Sequence, residues 1–404
     1  MQGKWVVSLL ILTFGVAVVL VAAAHWQVHS GVHPVPAVIT QVLKAFDNPE
    51  GAIFSADGHF VFVSNAAELG AERSPEGFAW AANEGYISKL EVLPSGELKM
   101  VQDKLITGLT APLGMGVLPV STGKFPVGTI FVCVGSAPLR DSAGQVISVR
   151  ERLRTKLLAF NEDGQILGEI NTGSGSIFEE ITGSPIILIN ALGFDARGNL
   201  FVADTAFGGN QFVPPFEPKG GIWMIPVEAL DDLAAGTTPP QRPRFLPIPG
   251  NPDGVEVSPR DGKIYVNTVG PVAGAADPAG GGIYALTSSN FRTGWLPPPI
   301  DRNLGALDGL DFTTGGTMLN TQIRGDIPAR LYVNCPGRPA TTLALQPGGA
   351  AAELTGPADI AVRQLADGSH LVVIPELFAR DATPGDDEIT VLALPPDFDS
   401  ACKQ

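Results

Sequence analysis

One short unit, repeated along the chain, constrains the fold more than any other feature. Residues 190–205 read NALGFDARGNLFVADT: a polar residue, a short apolar run, an Arg-Gly-Asn turn seven residues on, then a second apolar run ending in Ala203-Asp204-Thr205. Two short β runs joined by a Gly-containing turn specify a hairpin. The same unit runs from Glu50 through Asp57-Gly58 to Asn65, from Asp253 through Asp261-Gly262 to Asn267, from Asp308 through Gly315-Gly316 to Asn320, and from Asp359 through Asp367-Gly368 to Ile374. A degenerate copy starts at Pro112-Leu113-Gly114 and resumes at Thr129.

The first positions of the six copies are 50, 113, 190, 253, 308 and 359, so the steps are 63, 77, 63, 55 and 51 residues. In the five clear copies the turn falls seven or eight residues after the polar start, an offset that scattered Asp-Gly pairs would not keep. Most copies carry a second, weaker strand pair, as in Gly85-Tyr86-Ile87, Gly221-Ile222-Trp223 and Gly282-Ile283-Tyr284. Two hairpins make the four strands of a propeller blade. One such sheet cannot bury both faces, so blades stack around an axis. The expected fold is all-β, a six-bladed β-propeller with four-stranded blades over residues 45–395, with a tail at 396–404. Residues 25–44 read as a linker, with 33–39 able to supply an outer strand that closes the ring.

The runs PEGAIFSADGHFVFVSN, NALGFDARGNLFVADT and PDGVEVSPRDGKIYVN resemble the senescence-marker-protein, gluconolactonase and luciferin-regenerating-enzyme-like family, whose relatives include the diisopropylfluorophosphatase and paraoxonase groups. The resemblance covers roughly residues 45–395. It implies a calcium-dependent hydrolase that opens a lactone or related ester in the propeller tunnel.

The innermost strand of each blade lines the channel, so residues at its start converge on one mouth. Here they are Glu50, Leu113, Asn190, Asp253, Asp308 and Asp359. Five of these six are hard oxygen donors. Carboxylates gathered at one point repel unless a cation lies between them. Oxygen donors without His or Cys suit Ca²⁺ and disfavour zinc. Against this, Asp and Asn are common at strand starts because they satisfy local turn amides. The resembled family carries a Glu, Asn, Asn, Asp metal set. Motif matching implies Glu50, Asn190, Asp253 and Asp308 as metal ligands, Asp253 standing where the family usually has Asn, with Asn251 as the donor if the register slips. The same matching implies Asp308 as general base. Leu113 replaces a polar contact of many relatives and suggests a more apolar ligand. Two alternatives stay open: a non-catalytic binding propeller with a structural cation, and a metal-independent strictosidine-synthase-like enzyme, for which Glu376 is the candidate carboxylate.

The rest of the chain narrows the class. Residues 5–24 carry no charge, follow Lys4 and end in Ala22-Ala23-Ala24, which reads as a secretory signal peptide or, uncleaved, a membrane anchor. Export to a secreted or extracytoplasmic location is expected. His25, His29 and His33 are spaced by four, but they sit at this junction with Pro34 and Pro36 following, and a metal role is not read there. The net charge of −15 excludes nucleic acid and welcomes cations. The expected partner is a small lactone or ester, with membrane contact only through an uncleaved N-terminus and a monomeric protein. His59 and His370 follow the hairpin turns and read as surface or packing residues; the Asp-Gly pairs read as turn chemistry. Cys133, Cys335 and Cys402 cannot all pair; with the first two in different repeats and the third in the tail, they are read as mostly unpaired. Segments 136–154, 173–185, 207–220 and 301–307 are expected to project from blade ends.

Overall fold

The computed structural model describes residues 36–67, 82–136, 153–206, 220–275, 280–323, 329–335, 337–347, 354–377 and 387–403. The N-terminal apolar segment, the three clustered histidines and most of segments 136–154 and 207–220 lie outside the described residues. Among the described residues, no helix is long and apolar enough to cross a membrane.

The strands form a six-bladed propeller, as the repeat predicts. The inner strands are Pro49–Phe54, Pro112–Val117, Ile189–Phe194, Pro252–Val257, Leu307–Phe312 and Ala361–Gln364. Each pairs antiparallel with the strand that follows its hairpin turn, and that strand pairs with the next one outward. The turns need a left-handed residue: Gly58, Gly198, Gly262, Gly316 and Gly368 all have φ between 67° and 86°. Blade four has three strands, Pro252–Val257, Ile264–Thr268 and Ile283–Leu286, and its outer edge is continued by a bridge from Ile283 to Asp301. The best helical stretch of the sequence forms one turn of 3₁₀ helix, Val227–Ala229, followed by the helix Leu230–Ala234.

The core lies between blades. Phe131, Leu157, Leu192 and Trp223 pack where blades two and three meet, and Leu319, Val333, Val372 and Leu392 where five and six meet. The alternating apolar residues of every strand thus have a neighbouring blade to bury against. Ala37–Lys44 pairs antiparallel with Glu388–Leu394, so the start of the described chain is the fourth strand of the last blade, and Leu345–Pro347 adds parallel at its outer edge.

One expectation is corrected. Cys335 and Cys402 form a disulfide, and Cys133 is the buried free cysteine among the described residues. Repeat numbering separates Cys402 from blade five, but the tail turns back after the last blade. Phe398 is fully buried in the core between blades five and six. Asp399 accepts hydrogen bonds from the Thr317 hydroxyl (2.6 Å) and the Gly315 amide (3.1 Å). The 3₁₀ segment Phe398–Lys403 is thereby laid across blade five, and Cys402 meets Cys335.

Candidate functional site

The mouth residues are aimed by a repeated irregularity. In blade one, Pro49 faces Asn65 but Ala52 faces Val63, so one extra residue sits between them. The same shift occurs at 112/115, 189/192, 252/255 and 307/310. In blade six the bridge from Pro357 to Glu376 and the pair Ala361 with Val373 give the same offset. A β-bulge re-aims a side chain, and here it falls on the first position of the repeat and its successor, the first position being polar in every blade but the second, where Leu113 stands. That successor is often glycine because the inner strands nearly touch. A Cβ on Gly51 would lie 2.6 Å from Leu113 O, one on Gly254 2.6 Å from Asp308 O, and one on Gly309 2.4 Å from Asp359 Cα. Gly309→Ala is therefore expected to cost about 3 kcal/mol, the upper end for overpacking, checked by urea unfolding of the variant against the parent protein.

The bulges bring Glu50, Asp253, Asp308 and Asp359 into one electrostatic cluster, with Asn190 beside it. Glu50, Asn190, Asp253 and Asp308 are each at most 8% exposed, and Asp359 is half-buried. The Asn190 amide donates to an Asp253 carboxylate oxygen, and the Thr205 hydroxyl lies 3.5 Å from that oxygen. Ala52 N–H donates to Asp359 Oδ2 at 3.2 Å, and Asp359 N–H to the Glu50 carbonyl at 3.1 Å. Glu50 Oε2 is buried without a hydrogen-bond partner.

Charge accumulates here without compensation. Burial, then Asp308, Asp359 and Asp253, push the Glu50 carboxyl well above the usual range. Burial, then Asp308 and Asp359, do the same to Asp253. Asp308 is pushed up to about 7 by burial and by Asp359. Asp359 is pushed up to about 7 by burial, against the opposing amides of Ile360 and Ala52. Among the described residues, no Lys, Arg or His forms an ion pair with any of the four.

The sequence reading named Asp359 as a mouth residue and missed a second carboxylate pair nearby. Asp359 belongs to the cluster, although the motif-matched set omits it. Glu256 and Asp311, three residues after Asp253 and Asp308, form a second carboxylate pair: Glu256 is raised by burial and by Asp311, and Asp311 is pushed up to about 7 by burial. The signal was present as DGVE and DGLD, since an added bulge residue turns the third position toward the axis as well.

Other candidates fall elsewhere. Asn251 donates to Thr205 O at 2.7 Å, leaving Asp253 at the mouth position of blade four. Leu113 is 1% exposed and packs in the core between blades two and three, so it offers no apolar wall to a ligand. Glu376 is spent within blade six on the Thr355 and Gly356 amides and the Thr390 hydroxyl. His59 is held on Asp57 at 2.6 Å near the hairpin turn, and His370 is buried near Asp399.

The cluster fits a cation in its chemistry: hard oxygen donors, an orphaned buried carboxylate oxygen and, among the described residues, no positive side chain paired to them. Among the described residues, however, no three His, Cys, Asp or Glu side chains are grouped so that they could hold a metal ion as they stand.

No protein-family model matches the chain, and no curated protein matches it. Among solved structures it is similar to one assigned as a gluconolactonase, at 11% identity over 90% of this chain and 94% of that one, with a TM-score of 0.50. It is also similar to the PQQ-bound aldose sugar dehydrogenase of Streptomyces coelicolor, at 14% identity over 88% and 97%, with a TM-score of 0.52. The calcium-binding protein regucalcin of Agrobacterium tumefaciens shares 11% identity over 88% and 95%, with a TM-score of 0.45. At these identities the likeness establishes the propeller fold, and the first two structures bear the names of different chemistries.

Proposed function

We propose that this propeller binds a divalent cation of the calcium class at the mouth of its channel and hydrolyses a small lactone or related ester there. The observation that carries the reading is the cluster of four carboxylates from four blades, three buried and Asp359 half-buried, with no positive side chain among the described residues paired to them. Glu50, Asn190, Asp253 and Asp308 are the proposed ligands, with Asp359 completing the negative shell.

A bound divalent ion supplies positive charge for a carbonyl oxygen and makes a nearby water more acidic. The chain's own residues supply the rest. Asn190, with its amide hydrogens turned to Asp253, keeps its carbonyl oxygen for a cation or a substrate hydroxyl. Asp308 is the proposed general base: burial and Asp359 give its carboxyl a proton affinity near neutrality, where a base works best. Glu256 and Asp311, whose carboxyls burial pushes up, hold protons toward neutral pH and so add little negative charge of their own. An exported setting is also part of the proposal, supported by the uncharged segment 5–24 and by the Cys335–Cys402 disulfide, which suits an oxidising compartment.

The test starts with a lactone panel in calcium. Asp308→Ala is expected to abolish turnover, a loss of at least about a hundredfold for a general base, while its far-ultraviolet spectrum stays that of the parent. Turnover that survives EDTA would favour the metal-independent alternative. Calcium binding without turnover on any lactone or ester would leave a binding propeller with a structural ion.

A further inference from the structure

The bulges that aim the carboxylates each free a backbone amide, and in three blades a buried side chain of the second strand accepts it. Gly51 N–H donates to Ser64 Oγ at 2.7 Å, Gly254 N–H to Asn267 Oδ1 at 2.8 Å, and Gly309 N–H to Thr321 Oγ1 at 2.9 Å. All three acceptors are fully buried. They occupy one structural position, the residue after the one paired across the bulge.

In blades four and five these side chains also reach the next blade. Asn267 Nδ2 donates to Gly309 O at 3.1 Å and to Asn320 Oδ1 at 3.3 Å. The Thr321 hydroxyl donates to Ala358 O, immediately before Asp359. Asp359 N–H in turn donates to Glu50 O. The bulges carrying Asp253, Asp308, Asp359 and Glu50 are thus joined in sequence, and each link is made next to a carboxylate.

We propose that Asn267 and Thr321 are positioning residues of the carboxylate ring. They hold the bulges of blades four and five and tie them to the neighbouring blade, so that Asp253 and Asp308 face the axis at a set separation from Asp359. This rests on the cation-site reading above. A side chain behind a ligand orients it, and its loss lowers metal affinity without any contact to the ion. Thr321→Val and Asn267→Leu keep the shape and leave the Gly309 or Gly254 amide without its side-chain acceptor. Thr321→Ser and Asn267→Thr restore a hydroxyl acceptor of the kind that Ser64 and Thr321 already provide.

The experiment titrates the full-length protein with calcium chloride alone by calorimetry and records thermal unfolding in EDTA. Thr155→Val serves as control, because the Thr155 hydroxyl is equally buried in blade two and bonds Ile186 O at 2.9 Å, away from the ring. Thr321→Val and Asn267→Leu are expected to weaken calcium about tenfold to a hundredfold. The Ser and Thr rescues should return to within about threefold of the parent, within the scatter of a single hydrogen bond. Thr155→Val should lower the melting temperature in EDTA and leave calcium affinity unchanged. Parent-like affinity in Thr321→Val and Asn267→Leu, with melting lowered as in Thr155→Val, overturns the positioning role and leaves the cation site standing. Absence of calcium binding by the parent protein overturns the cation site itself and this inference with it. If Thr321→Val does not fold, Thr321→Ser and Asn267→Thr are compared with Thr321→Ala on the same calcium titration, and equal affinity in all of them overturns the role.

Discussion

In EDTA the protein is expected to lose stability as pH rises from about 4 to about 7, and calcium is expected to offset much of that loss. The sign follows from the mouth carboxylates. Asp308 and Asp359 hold their protons up to about 7 in the folded state, where burial penalises the charge. Unfolded aspartate releases its proton near pH 3.9. Their contribution is therefore fully present below about pH 4 and is lost as pH climbs to the folded value, because over that range the native state binds more protons than the unfolded state. One group displaced this far corresponds to about 4 kcal/mol at neutral pH, and the coupled carboxylates of the mouth share a total of that order or more. Below this window the slope reverses for a different reason. Asp57 is held low by the His59 amide and the Ser55 hydroxyl, and Asp261 by the Lys263 amide and side chain, so both add stability only while ionised. The melting temperature in EDTA should accordingly peak near pH 4 to 5.

A cation changes the outcome because it takes the place of the protons. At a hundredfold excess over its dissociation constant it adds about 2.7 kcal/mol, and the effect should be large at pH 8 and small at pH 5. The measurement is a set of melting curves at half-unit pH steps with EDTA and with calcium chloride. Two curves that converge toward pH 5 and part toward pH 8 support a cation at the carboxylates. Parallel curves would remove it from the mouth, and Glu50→Gln should flatten the EDTA slope because it deletes one of the repelling charges.

Removal of the Cys335–Cys402 disulfide is the second large effect. The bond spans 67 residues, and loop-closure entropy for that length amounts to about 4 kcal/mol at 25 °C. Cys402→Ser should lose a substantial part of this in urea unfolding, since Phe398 and Asp399 still hold the tail noncovalently. Calcium binding should be unaffected. Cys335 follows Asn334, which pairs with Met318 at one end of blade five, whereas Leu307 and Gln322, beside Asp308, lie at the other. Strands of this length put the two ends about 16 Å apart. A parent-like unfolding midpoint would mean that the tail packing alone secures the seam between blades five and six.

The two effects sit at opposite ends of the inner strands, and they were unequally legible in the sequence. Hairpin turns were readable because a left-handed residue at the bend is a local requirement, met by glycine after Asp57, Arg197, Asp261 and Asp367. Five such hairpins at near-constant offset and one degenerate copy imply six blades, since each sheet needs a neighbour on both faces. The polar starts at 50, 190, 253, 308 and 359 were visible for the same reason, as one repeated position.

What the tertiary structure alone decided is which of these groups act on one another. Asp359 joins Glu50 because the last inner strand lies beside the first, a contact between residues more than three hundred positions apart. Glu256 and Asp311 enter the axis because a bulge adds a residue, and no periodicity announces a bulge. Asn267 and Thr321 look like ordinary strand residues until they are seen to accept from the amides of Gly254 and Gly309, the second of which is shared with the Ala358 carbonyl. Cys402 finds Cys335 because a buried Phe398 turns the tail back across blade five. Period and turn chemistry are properties of a few neighbouring residues, so the sequence carries them openly. Charge coupling, bulge capping and disulfide pairing depend on distances set only when the ring closes.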